Sequence, residues 1–185
     1  MREIDKLNAD LYRIYGCDRK EVRLLNKIRT ESNPSVFCLK LFRKAGSKFF
    51  RILYIYFGRR YAFEIPYGTN IGAGLYLPHN GRRTINSKSI IGQNVTIHPG
   101  VTIGKEVRGT RIGAPIIHDC VWIGANAVIV GGITIESNVL IAPGAFVNFD
   151  VPKGSIVLGN PGRIINKEDA VKGYLKNVTY NKDDC

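Results

Sequence analysis

Three histidines, His79, His98 and His118, are the only imidazoles in 185 residues, so the acid–base chemistry open to this chain is narrow. His79 is placed best. It lies in Pro78-His79-Asn80-Gly81-Arg82-Arg83, at the first break in a sequence repeat, where the chain must bulge from a regular path. An imidazole with an ordinary pKa of about 6.5 can take a proton from an alcohol at neutral pH, and a carboxylate beside it fixes the tautomer and stabilises the imidazolium. Glu64, fifteen residues earlier and a little less than one turn of the repeat away, is the carboxylate expected to reach it. His98 and His118 each follow a core aliphatic residue and read as structural or peripheral. Their intervals of 19 and 20 residues raise a second chemistry, a three-histidine zinc site with hydratase activity. That site lacks a close histidine pair, and no metal is expected.

A second feature is the stretch Gly104-Lys-Glu-Val-Arg-Gly-Thr-Arg-Ile-Gly-Ala-Pro115, long enough to form an extruded loop on a rigid scaffold. Lys105, Arg108 and Arg111 in it either meet phosphates or are simply solvated.

The scaffold is set by self-similarity. An aliphatic residue recurs every six positions at Ile65, Ile71 and Leu77, at Ile85, Ile91, Ile97 and Ile103, and at Ile117, Ile123, Ile129, Ile135, Ile141 and Val147. The spacing stretches to eight residues between Leu77 and Ile85 and to fourteen between Ile103 and Ile117. The fifth position of each hexad is mostly small or β-branched, as at Thr69, Val95, Val101, Val107, Val121, Ala127, Ile133, Val139 and Ala145. A period of six fits neither a helix at 3.6 nor an extended strand at 2. It fits a solenoid in which each hexad makes one short strand and one tight turn, three hexads close an 18-residue coil, and Gly with Asn70, Asn94, Asn126 and Asn138 supplies the turns.

The elements around the solenoid are basic. The formal charge is +12, and residues 1–63 carry 15 basic against 6 acidic residues. Residues 3–15 put Ile4, Leu7, Leu11, Tyr12 and Tyr15 on one helical face, Asp18 to Glu21 has the form of a capping box, and Asn33-Pro34 suits the start of a third helix. From Ser32 to Phe63 there is no acidic residue, while Lys40, Arg43, Lys44, Lys48, Arg51, Arg59 and Arg60 interleave with aromatic and aliphatic residues. Such a segment lies on an anionic membrane surface or holds an acidic glycan or lipid-linked sugar, or it packs over the open end of the coil or between subunits with its charges solvated. No nucleic-acid motif accompanies the charge. The longest early apolar run, Ile52 to Phe57, is far short of the ~20 residues of a membrane span. The N-terminus lacks the apolar core of a signal peptide, so a cytoplasmic protein is expected. The four cysteines show no CxxC pair and no compact disulfide framework, so reduced thiols are expected. The expected organisation is a basic helical segment over 1–63, the solenoid over 64–165, and a short helix and tail over 166–185.

The hexad array, the interval from Glu64 to His79, Val101-Thr-Ile-Gly104, the long loop ending near Pro115 and Gly159-Asn-Pro-Gly-Arg163 together resemble the hexapeptide-repeat acyltransferases, specifically their serine acetyltransferase-like branch. The resemblance covers about residues 64–165. It implies a left-handed parallel β-helix, an acetyl-CoA-dependent O-acetyltransferase, and a homotrimer with active sites between subunits. His79 matches the family's base, which deprotonates the acceptor hydroxyl for attack on the thioester through a tetrahedral intermediate. Glu64 stands where the family has Asp. Gly104, Lys105, Ala125 and Pro143 would line the pantetheine groove, and Arg163 would lie near the CoA end.

Two departures bear on the acceptor. The carboxylate that precedes the family's histidine is Pro78 here, and an Arg-His-Pro run in the loop becomes Gly113-Ala114-Pro115. Both sets of residues hold the amino acid in the family. The first expectation is therefore acetylation of a saccharide or saccharide intermediate of a surface-polysaccharide pathway. Serine O-acetylation is the alternative, and a non-catalytic trimeric scaffold stands beside the zinc hydratase as a reading of another class.

Overall fold

The computed structural model describes residues 2–179, so the end of the expected tail lies outside the described residues. Four helices come first: α1 (Glu3–Tyr15), α2 (Leu24–Glu31), α3 (Pro34–Lys44) and α4 (Lys48–Arg60). Asn33 caps α3, its side chain accepting from the Ser35 amide at 3.0 Å, with Pro34 in the first turn. Asp18 serves a turn instead of a helix cap: its carboxylate accepts from the Lys20 amide, and α2 begins only at Leu24.

Short strands then form three sheets, one for each face of a triangular coil. The first holds β1 (Phe63–Glu64), β3 (Arg83–Ile85), β6 (Thr102–Gly104), β9 (Val128–Val130) and β12 (Phe146–Val147). The second holds β2 (Asn70–Ile71), β4 (Ile90–Ile91), β7 (Ile116–Ile117) and β10 (Thr134–Ile135). The third holds β5 (Thr96–Ile97), β8 (Val121–Ile123), β11 (Val139–Ile141), β13 (Ser155–Leu158) and β14 (Arg163–Asn166). All pairings are parallel except β13 with β14. The solenoid read from the hexads is thus a parallel β-helix.

The register reproduces the breaks in the repeat. Val121 pairs with Val139 and Thr84 with Thr102, each 18 residues on. Glu64 pairs with Thr84, a coil two residues longer, and Ile90 with Ile116, a coil eight residues longer. All thirteen hexad aliphatics point inward, none more than 4% exposed. Among the fifth positions Val107 is the exception at 64%, because it lies in the extruded loop and not on a coil. Asn94, Asn126 and Asn138 turn corners with left-handed φ of 56° to 60°, a conformation Asn tolerates better than most residues. Asn70 lies in β2 instead.

Leu39, Leu41 and Phe42 of α3, with Tyr54 of α4, join Ile65 and Ile71 in one core and close the open end of the helix. Three arginines stitch the helices and the first corner to the coil. Arg13 of α1 donates to the Gly74 carbonyl and the Thr96 hydroxyl. Arg43 of α3 pairs with Asp10 and donates to the carbonyls of Ile71 and Gly72. Arg83 lies in β3. The basic surface expected of the N-terminal segment is therefore only partly a surface, since Arg13 and Arg43 are buried. Phe49, Ile52, Ile55 and Tyr56 of α4 remain exposed beside Lys48, Arg59 and Arg60. Among the described residues no helix is long and apolar enough to cross a membrane. The short helix expected over residues 167–176 does not form among the described residues: residues 168–174 make turns, with Gly173 at a left-handed φ of 81°, while Ala170 and Val171 pack on Leu140.

Candidate active site

His79 sits at the corner leading from the third sheet into the first, the corner that left-handed Gly100, Asn126 and Gly144 turn in later coils. Its own φ is 58°, a conformation costing roughly 1–2 kcal/mol for a residue with a Cβ. The side chain is exposed, and the backbone is held from below. Arg83, with no exposed surface, donates from Nε to the Ile97 carbonyl at 2.9 Å. Its Nη1 donates to the Ser35 hydroxyl and the Gly81 carbonyl, both at 3.1 Å, and its Nη2 to the carbonyls of Pro78 and, at 3.1 Å, His79. A guanidinium has five N–H donors, and each finds an acceptor here. None of the acceptors is a carboxylate, and burial brings the Arg83 pKa down to about 10, so the group stays charged at neutral pH. Ser35, at the start of α3, completes the frame by donating its hydroxyl to the His79 carbonyl at 2.9 Å.

The neighbour of the His79 ring is His98, with ring centroids 6.1 Å apart. His98 packs in turn against Trp122, with ring centroids 4.6 Å apart and planes tilted by 56°, and Trp122 meets Tyr174. Burial, then the charges of His79 and Arg83, hold the His98 imidazole below its ordinary pKa. The sequence alone reads His98 as structural or peripheral and does not place it against His79. Its signal was the 20-residue first coil, in which Tyr76 pairs with Thr96 and brings the two corners together. His118 is elsewhere: it follows β7 at the corner between the second and third sheets. The three-histidine stack behind the zinc reading therefore does not form, and among the described residues no cluster of three His, Cys, Asp or Glu side chains is arranged for a metal.

Glu64 corrects a second expectation. Its carboxylate accepts from the Thr84 hydroxyl at 2.8 Å and from Arg82 at 3.3 Å, with no hydrogen bond to His79 within the chain. The two-residue bulge that carries His79 sets the register, placing Thr84 and not His79 beside Glu64.

The five residues matched to the CoA groove divide between locations. Ala125 and Pro143 stack at the His79 corner, where the Gly144 amide donates to the Ala125 carbonyl at 2.8 Å. Gly104 ends β6 at the opposite edge of the first sheet, and Lys105 opens the extruded loop there. That loop is tied back by paired bonds between Glu106 and Gly113 and by the Gly132 amide donating to Arg111, leaving Lys105 and Arg108 exposed with positive charge suited to phosphates. Arg163 opens β14 at the far end of the third sheet. The first sheet thus separates two halves of the expected groove on any one chain.

These features can be set against known proteins. Residues 114–148 match the model of the bacterial transferase hexapeptide (six repeats). The chain carries the hexapeptide-repeat transferase fold. Over 112 residues it is 44% identical to a serine acetyltransferase of Staphylococcus aureus, covering 59% of this chain and 51% of that protein. Over 129 residues it is 32% identical to serine acetyltransferase 2 of Arabidopsis thaliana, covering 64% of this chain and 40% of that protein. The chain thus spans about half the length of the curated relatives it matches. Among solved structures, the Neisseria gonorrhoeae serine acetyltransferase in complex with serine superposes with a TM-score of 0.70 at 27% identity, covering 87% of this chain and 68% of that one. The Brucella abortus serine acetyltransferase in complex with coenzyme A gives 0.69 at 25%, covering 87% and 66%. The left-handed β-helix with a helical N-terminal segment is the fold these proteins share with the chain.

Proposed function

We propose that this chain is an acetyl-CoA-dependent O-acetyltransferase with His79 as general base and the hydroxyl of L-serine, or of an alcohol of similar size, as acceptor. The observation that carries the reading is an exposed imidazole on a corner whose backbone is fixed by a fully bonded, buried guanidinium. A base held this way pays little to reach its reacting geometry. Acetyl-CoA supplies an activated acetyl thioester. His79 takes the proton of the acceptor hydroxyl as that oxygen attacks the thioester carbonyl, holds it as imidazolium, and returns it to the departing thiolate. Neutral His98 beside it adds no competing charge. The names of the relatives support serine over other acceptors.

A homotrimer belongs to the proposal. The groove residues Ala125 and Pro143 lie at one corner and Gly104 and Lys105 at another, so a neighbouring subunit is needed to bring the two halves together. Peripheral contact of the exposed α4 face with anionic lipid is part of it too, supported by the absence of acidic residues between Ser32 and Phe63, and co-sedimentation with anionic but not neutral vesicles tests it.

A second reading, acetylation of a saccharide hydroxyl, is favoured by one feature of the pocket. Pro78 is buried with its carbonyl committed to Arg83, and Gly113-Ala114-Pro115 offers no charged side chain, so these positions give a serine ammonium or carboxylate nothing to pair with. Release of CoA from acetyl-CoA, measured with L-serine, sugars and nucleotide sugars in parallel, tests both. Turnover with serine supports the first reading, turnover with sugars alone the second, and no turnover with any acceptor goes against acetyl transfer itself.

A further inference from the structure

We infer that Arg83, together with Ser35, is the positioning device of the base: its charge and its five donors set the backbone that carries the His79 imidazole. The inference rests on the reading of His79 as the base and adds to it the group through which that base is aimed.

Three observations support it. The first is stoichiometric. Every N–H of Arg83 is used, and four of the five acceptors are the carbonyls of Pro78, His79, Gly81 and Ile97, which outline the His79 bulge and the strand beneath it. The fifth is Ser35, which hands its own proton to the His79 carbonyl, so that one oxygen receives two donors. Secondly, the site has no counter-carboxylate. A fully buried guanidinium bonded only to neutral acceptors is costly to retain, and a core position serving stability alone is better filled by an apolar side chain of similar volume. The third is conformational. His79 is held at a left-handed φ that Gly or Asn adopts at the later corners, and the bonds to its carbonyl are what hold a β-carbon residue there. The bulge is also closed from above: a Cβ on Gly81 would lie 2.8 Å from the Pro99 ring, so the loop cannot relax upward without disturbing the next coil.

The inference has consequences for sequence variation. Lysine at 83 keeps the charge but offers three donors from one nitrogen, and cannot reach acceptors spread around the edge of a guanidinium plane. Ser35 links the outcome to the helical segment, because α3 reaches the catalytic corner through this one hydroxyl and through the Ser35 amide, 3.4 Å from the Asn80 side-chain oxygen.

The test is steady-state kinetics on Arg83→Lys, Arg83→Ala and Ser35→Ala, with folding checked by thermal melts and assembly by gel filtration. Misplacing a base by about 1 Å costs on the order of 10²-fold in rate, so Arg83→Ala is expected to lose that much in kcat while the KM for acetyl-CoA moves less than about threefold. Millimolar guanidinium, but not ammonium, is expected to restore part of the Arg83→Ala rate and to leave wild type unchanged, which a merely structural defect does not predict. Arg83→Lys and Ser35→Ala are expected to fall between. A folded Arg83→Lys with wild-type kcat, or a folded Arg83→Ala indifferent to guanidinium, overturns the inference. A separate reading comes from the imidazole resonances of His79, assigned by their loss in His79→Ala. These are expected to shift in Arg83→Lys, and unchanged resonances also overturn it. Should His79→Ala itself turn over at the wild-type rate, the base assignment fails, and the resonances still report whether Arg83 sets the loop.

Discussion

The backbone carbonyl of His79 accepts from Nη2 of Arg83 at 3.1 Å, so the residue proposed to move protons and the most buried cation of its corner are joined through the main chain and not through their side chains. The arrangement divides labour. Arg83 fixes where the imidazole is, and the imidazole remains exposed to meet a substrate.

Glu64 has a different allegiance, and this sets the first prediction. Its carboxylate is engaged by Thr84 and Arg82. Glu64→Gln keeps the hydrogen bond from Thr84 and is expected to leave kcat within about tenfold of wild type, well short of the 10²–10⁴-fold typical of losing a general base. Initial rates of CoA release check this, and a loss as large as that of His79→Ala would put Glu64 back beside the base.

The architecture was legible from the hexads because burial in a coil repeats strictly: thirteen aliphatics in sequence are thirteen inward side chains, and the two long intervals are the two long coils. The corner position of His79 was legible as well, since it stands at one of those intervals. What was not legible is what the corners demand. Arg13, Arg43 and Arg83 look in the sequence like three more members of a basic population, yet each is buried and spent on main-chain carbonyls. Periodicity distinguishes inside from outside along a strand and is silent on which carbonyls are left without partners where coils turn. Glu64 misled for a related reason: counting fifteen residues along the chain ignores that the bulge around His79 sets the register to Thr84.

A second prediction concerns the joint between the helices and the coil. Arg43 donates to Asp10 at 2.8 Å with both side chains buried, and Asp10 also accepts from the Leu75 amide at 2.7 Å. Asp10→Asn leaves the buried guanidinium only its longer contact with the exposed Glu3 carboxylate at 3.5 Å, and losing the buried partner costs about 3–5 kcal/mol. Urea denaturation followed by circular dichroism is expected to show a loss of that size in Asp10→Asn, and a loss below ~1 kcal/mol would mean that the pair is dispensable to the docking of α1 and α3.

The third prediction is a pH dependence of stability. Burial, with the charges of His79 and Arg83, lowers the folded-state pKa of His98 below its unfolded value. Below about pH 6.5 the unfolded chain therefore takes up a proton at this residue that the folded chain resists, so stability is full above that pH and is lost as the pH falls toward the lower folded value. His98→Gln removes the group that titrates. Denaturation midpoints at neutral and mildly acidic pH are expected to show a shallower acid loss in His98→Gln than in wild type, and identical slopes would assign the acid sensitivity to other groups.

The most direct test of the central claim is the initial rate of CoA release from saturating acetyl-CoA, with L-serine as acceptor, for wild type against His79→Ala. The account predicts turnover in wild type and a loss of about 10²–10⁴-fold in kcat for the variant, with acetyl-CoA binding preserved. Turnover in His79→Ala equal to that of wild type would contradict it.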